Sequence, residues 1–192
     1  MSFLSDYAIL AVILLAITAL VLLVHFNWLW TLLALAVQYL AVAWLVSLSW
    51  PLSLAAIKLV VGWMAGAVLA TSQAGLREPV EPLSGRLFRL LAAGLVLVAV
   101  YTVSPPVIAW LKVPQPVLWG TFVLVGVGLL QISMTHHPLR VVVGLLTVLA
   151  GFEILYAALE LSVLVAGLLA AVNLGLALSG AYLLTTESRE TG

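Results

Sequence analysis

Long apolar runs, broken by short polar punctuation, cover this chain almost from end to end. A transmembrane helix needs about 20 mostly apolar residues, and the pattern predicts seven such spans, at about 7–25, 28–47, 51–72, 88–110, 116–134, 139–159 and 161–184. Each break has a physical cause. His25, Phe26 and Asn27 form a polar turn. Ser47 through Pro51 is a tight hairpin, because a proline restricts the residue before it and starts a helix well. Residues 73–86 form the one long loop, with Gly75, Arg77, Glu78, Pro79, Glu81, Pro82 and Arg86. Lys112 to Pro116, Met134 to Pro138, and Glu160 mark the remaining turns. Pro105 and Pro106 must kink the fourth helix or end it near Trp110. The predicted fold is therefore all-α, a polytopic transmembrane helical bundle forming a single domain over residues 1–192.

Charge orients the bundle. With seven spans, one side collects Arg77, Arg86, Arg89, Arg140 and Arg189, while the other has only Lys112 beside Asp6 and Glu160. The positive-inside rule then places the N-terminus outside and the C-terminus in the cytoplasm. The segment before the first apolar run holds Asp6 and no basic residue, so it does not resemble a cleaved signal peptide, and the first run is read as a retained helix. Trp28, Trp30, Trp44, Trp50, Trp110 and Trp119 fall near predicted helix ends, as an aromatic belt requires, and Trp63 alone sits mid-span.

Composition agrees with a bilayer. Of 192 residues, 65% are hydrophobic and 7% are charged, against about 25% charged in soluble domains. The net charge is zero, which gives no footing for nucleic acid. Without cysteine there are no disulfides and no thiolate metal sites. His136 and His137 have no third ligand nearby and make a poor metal site. There is no phosphate loop and no hydrolytic triad, so we assign no catalytic residue, metal or cofactor. The expected location is a cell membrane, multi-pass, most simply a prokaryotic cytoplasmic membrane.

The chemistry is concentrated in a few polar residues inside the spans. Lys58 and Glu153 lie at similar depth, roughly 10 Å and 9 Å from the outer ends of helices 3 and 6 at about 1.5 Å per residue. Gln38 and Asn173 lie deeper, near the middle of helices 2 and 7. Ionisable groups at such depth face the bundle interior and have a partner. Three readings stay open for Lys58 and Glu153: part of a proton or ion path, a fixed pair that only joins helices 3 and 6, or a lysine snorkelling unpaired to the surface. Gln38 and Asn173 are either interhelical glue or relay members. Gly167, Ala171, Gly175 and Ser179 recur every four residues on helix 7. Such a small-residue face predicts close helix packing, within the chain or against another subunit.

Three stretches carry a family resemblance. They are Leu35 to Leu40 around Gln38, Ile57 to Val61 around Lys58, and Gln131 to Ser133 followed by Arg140 to Gly144 and Ala150 to Glu153. In these the chain resembles the E-type membrane component of group 4 (formate-hydrogenlyase type) hydrogenases. That family is related to the K-type membrane component of NADH:quinone oxidoreductase and to the matching component of multisubunit cation/proton antiporters. Leu174 to Leu178 of helix 7 is similar to the last helix of the K-type component. The resemblance follows the whole chain in span order and implies that Glu153, with Lys58, belongs to a polar axis that carries protons through a membrane arm. The K-type component has a second carboxylate on its last helix, where this chain has only Ala171 and Asn173.

The resulting expectation is a membrane-arm subunit of an ion-translocating respiratory complex, with other membrane subunits as partners and Glu153, Lys58, Gln38 and Asn173 along the proton path. The alternatives are a non-catalytic scaffold or assembly subunit with a structural ion pair, and a small independent transporter. Only Pro105 and Pro106 hint at the broken helix that a transporter would use.

Overall fold

The computed structural model describes residues 7–73 and 83–190. Among them the regular structure is entirely helical: α1 (Ala8–Val24), α2 (Trp28–Val46), α3 (Leu52–Gln73), α4 (Leu83–Leu111), α5 (Gln115–Ser133), α6 (Pro138–Leu159) and α7 (Val163–Glu190). Six of these, α2 to α7, are long and apolar enough to cross a membrane. The remaining one, α1, is equally apolar over 17 residues, or about 26 Å, near the short limit for a span. The chain is a multi-pass membrane helical bundle. The expected loop residues Gly75, Arg77, Glu78, Pro79, Glu81 and Pro82, with Asp6, lie outside the described residues, as does the side chain of Arg189.

Local chemistry explains the helix ends. The side chain of Asn27 accepts from the backbone N–H groups of Leu29 at 3.0 Å and Trp30 at 3.3 Å, capping α2. Pro116 and Pro138 occupy the first turns of α5 and α6, where a missing N–H costs nothing. Lys112 has φ 55, the left-handed turn that stops α4. The fourth helix begins at Leu83, before the expected start at 88, and contains both Pro105 and Pro106 before ending at Leu111.

The bundle has two layers. One runs α4, α1, α2, α3, and the other runs α5, α6, α7 across it. Central α2 touches α1, α3, α5 and α6, whereas α3 and α7 pair along one edge. The connections alternate between two faces. The α2–α3, α4–α5 and α6–α7 turns share one, called here the Glu160 face, and the α1–α2 and α5–α6 turns share the other, the arginine face.

The tightest helix contact lies between α5 and α6. A Cβ on Gly128 would stand 3.0 Å from the Gly144 carbonyl oxygen, and one on Gly151 would stand 2.9 Å from that of Thr121. The small residues Thr121 and Gly128 on α5 and Gly144 and Gly151 on α6 thus let the two backbones meet. On α7, by contrast, Gly167, Ala171, Gly175 and Ser179 are all exposed, and a Cβ on Gly167 or Gly175 would meet nothing within 4 Å. The stripe therefore serves no packing within the chain.

Candidate functional site

Lys58 of α3 and Glu153 of α6 meet in a direct ion pair, Nζ to Oε1, and each residue is only 2% exposed. Lys58 therefore does not snorkel. A charge in hydrocarbon is costly, and a hydrogen-bonded opposite charge is the cheapest relief within a bundle. The pair uses one carboxylate oxygen, and Glu153 Oε2 is buried without a protein partner.

A second polar link adjoins the first. The Tyr39 hydroxyl of α2 donates to Asn173 Oδ1 of α7 at 3.0 Å, both residues being fully buried. Tyr39 also lies within electrostatic reach of Glu153. Its ring rests on Gly62, one helical turn beyond Lys58, where a Cβ would come within 2.3 Å of the ring carbons. Glycine here creates the slot that lets an aromatic side chain cross from α2 towards α7.

A third link lies next to the second. Gln38 Nε2 donates to Thr147 Oγ1 of α6 at 3.3 Å, and that hydroxyl donates to the Val143 carbonyl at 2.9 Å. Gln38 and Asn173 thus each tie two helices together. Both also keep a buried atom without a protein partner, Gln38 Oε1 and Asn173 Nδ2. Buried polar atoms in proteins are nearly always satisfied, so donors and acceptors left over in one region are the natural contacts of internal water. Of the four residues expected as a polar set, Lys58 and Glu153 bond to each other, while Gln38 and Asn173 bond to Thr147 and Tyr39; the three links are called here a column.

The column does not reach both faces. On α6, Thr147 and Arg140 are separated by roughly 10 Å of helix. At that level α2, α5 and α6 present Leu35, Val127 and Val143, all fully or almost fully buried. Beyond it stands a separate polar group. Gln131 Nε2 donates to the Arg140 carbonyl at 2.9 Å. The Arg140 guanidinium donates to the carbonyls of Leu23 at 2.6 Å, Leu22 at 3.2 Å and His25 at 3.4 Å. Arg89 donates to Leu23 and Met134, each at 3.2 Å. Both guanidiniums stand over the Phe26 ring, at 4.7 Å for Arg89 and 3.9 Å for Arg140. They satisfy the last carbonyls of α1 at the negative end of its dipole.

Two tryptophans also act by hydrogen bonding. Buried Trp50 donates to the Glu160 carbonyl at 3.0 Å, and Trp63 donates to the Ala36 carbonyl at 3.1 Å. Trp30 and Trp110 remain exposed, as membrane anchors do.

Tyr39 and Thr147 were not among the expected site residues, Gln131 entered only as part of a family-like stretch, and Arg89 and Arg140 were expected only to orient the chain by charge. A signal was present for Tyr39, since a tyrosine in mid-span needs a hydroxyl partner and sits beside Gln38.

Gly62 offers a local test. Gly62→Ala should push the Tyr39 ring aside, break the bond to Asn173 and destabilise the chain by about 1–3 kcal/mol, the usual cost of overpacking. Gly66, also on α3, has open space where a Cβ would go. Thermal unfolding in detergent should therefore fall for Gly62→Ala and hold for Gly66→Ala. Equal behaviour would show that the slot does not matter.

Comparison with protein-family models, with curated proteins and with solved structures finds no match to this chain.

Proposed function

We propose that this chain is a membrane-arm subunit of an ion-translocating respiratory complex, hydrogenase-like or NADH:quinone oxidoreductase-like, and that it contributes part of an intramembrane proton pathway. The observation that carries the reading is the buried Lys58–Glu153 pair, set beside Tyr39–Asn173 and Gln38–Thr147 with polar atoms left over for water. A bundle needs no such column merely to span lipid, because its helices already satisfy their own backbones. Every ionisable group inside hydrocarbon is expensive, and function is the usual reason to keep one. The family resemblance supports the same assignment for Glu153 and Lys58, with the N-terminus outside and the C-terminus cytoplasmic. The apolar layer at Leu35, Val127 and Val143 makes this a partial path, completed by side-chain rearrangement or by a neighbouring subunit.

The direct contact of the two charged heads also supports a second reading, in which the pair is a fixed lock within a scaffold subunit. Membership of a complex is common to both readings and is tested first. A tagged chain, extracted in mild detergent, should migrate with other membrane subunits and with redox or antiporter activity. A chain found alone, at its own protein mass of 20.4 kDa, would remove the assignment.

A further inference from the structure

Away from the ion pair, α1, α4 and α5 enclose a groove of about 220 Å³ on the bundle surface. Its walls include Val12 and Ala16 of α1, Val100 and Tyr101 of α4, and Trp119 and Val123 of α5, and no charged side chain lines it. Val12, Val100 and Val123 are buried and make its floor, while Tyr101 is exposed on its rim. Trp119 lies roughly 6 Å along α5 and Ala16 roughly 12 Å along α1 from the ends of those helices at the Glu160 face. The groove therefore runs within one leaflet, from near the headgroup boundary towards the bilayer centre.

Apolar walls at that depth exclude ordered water, which needs several polar partners. A stable protein partner buries about 800 Å² on each side, far more than a groove of this size offers. A helix with its side chains is also about 10 Å across, too wide to enter it. An apolar cavity of about 150 Å³ takes a benzene-sized molecule, so this groove takes a length of one hydrocarbon chain. Trp119 narrows the choice. Its indole Nε1 is buried without a hydrogen-bond partner among the described residues, whereas buried indoles usually find one. The Tyr101 ring stands 6.3 Å from the indole, tilted by 59°. Being exposed, that ring can turn on a fast timescale and admit an acceptor to the indole edge. A transmembrane helix has spent its carbonyls on its own backbone. A phospholipid acyl chain brings a free ester carbonyl, and brings it at the interfacial level where tryptophans gather.

We propose that the α1–α4–α5 groove is a binding site for one acyl chain of a membrane phospholipid, whose ester carbonyl accepts from Trp119 Nε1. The hydrocarbon lies over Val12, Val100 and Val123, and the small side chain of Ala16 leaves room for its deeper part. The site stands whether or not the Lys58–Glu153 pair belongs to a proton path.

The test titrates the purified full chain with phosphatidylcholine in mild detergent and reads bound lipid by native mass spectrometry. The parent chain should hold one ester-linked phosphatidylcholine after loosely associated lipid is removed. Ala16→Phe fills the groove and should weaken that binding at least about tenfold. Gly66→Phe also adds a ring, but on α3, where a Cβ would meet open space, and should bind as the parent does. The hydrogen bond is read separately. Trp119→Phe keeps an aromatic ring without the N–H, and ether-linked phosphatidylcholine keeps the chain without the carbonyl. Each change alone should weaken binding about threefold to tenfold, the usual worth of one hydrogen bond. Made together they should weaken it no further, because both remove the same contact. Where Trp119→Phe accumulates poorly, the ester and ether lipids are compared on the parent chain. Equal binding of the two lipids to the parent, or of the ester lipid to Ala16→Phe and Gly66→Phe, would overturn the site. So would a co-purifying protein that Ala16→Phe releases in place of the lipid.

Discussion

On the proposed proton-path reading, replacing Glu153 with glutamine should stop most proton transport by the complex to which we assign this chain, without removing the chain from it. Glutamine keeps the shape of the side chain and an oxygen that accepts from Lys58, but it cannot exchange a proton. A positioned proton-transfer group contributes at least about a hundredfold where its step limits the rate, so a fall of tenfold or more per complex is expected. Glu153→Asp keeps the chemistry and shifts the carboxylate by one methylene, and its effect should be smaller.

The difficulty with the single variant is that it leaves the buried Lys58 charge without its carboxylate, and breaking a buried pair costs about 3–5 kcal/mol. Abundance could then fall for a reason unrelated to transport. The double variant Lys58→Met with Glu153→Gln removes both charges at similar volume. It should recover the amount of subunit in the membrane and still fail to transport. A scaffold predicts the opposite, with normal transport per assembled complex once neutrality is restored. Abundance and proton uptake measured on the same vesicles separate the two. Normal transport per complex in the double variant would end the assignment of Glu153 to a proton path.

Much of the bundle was legible because a lipid-spanning helix has few options. Its backbone must be satisfied internally, so helix number and order follow from apolar length and from breaks such as Asn27 and Pro138. The pairing of Lys58 with Glu153 was legible for a related reason, since two charges at equal depth have little choice but each other. What could not be read was direction around each helix. The stripe from Gly167 to Ser179 is visible as a period of four, but only the packing of α7 on α3 and α6 shows that it faces outward. The close contact that small residues make is instead on α5 and α6, at Thr121, Gly128, Gly144 and Gly151. The seven-residue spacing within each of those pairs was available, but it gains meaning only when the two helices are known to be neighbours. Arg89 and Arg140 show the same limit. Counted as basic residues near span ends they orient the chain, and nothing in that count says that both are buried against the end of α1.

Removing Arg140 should therefore unfold the arginine face. Arg140→Leu withdraws the donors from the carbonyls of Leu22, Leu23 and His25 and removes a cation from the Phe26 ring. Hydrogen bonds from charged groups are worth about 1.5–3 kcal/mol each, and buried carbonyls left bare lose more than the bond itself. A loss of at least about 3 kcal/mol is expected, enough to deplete the protein from the membrane. Arg140→Lys keeps the charge but replaces a wide planar fork with a compact ammonium whose three donors share one nitrogen, and which lacks the guanidinium's reach and its flat contact with the Phe26 ring, so the rescue should be partial. Arg89→Leu bares the Met134 carbonyl but leaves that of Leu23 bonded to Arg140, and should cost less. The double Leu variant should depart from the sum of the two, because both arginines share the Leu23 carbonyl and the Phe26 ring. Unfolding of the purified chain in detergent reads all four variants directly. An Arg140→Leu protein as stable as the parent would show that α1 holds its end without the guanidinium, and that the cluster orients the chain by charge alone.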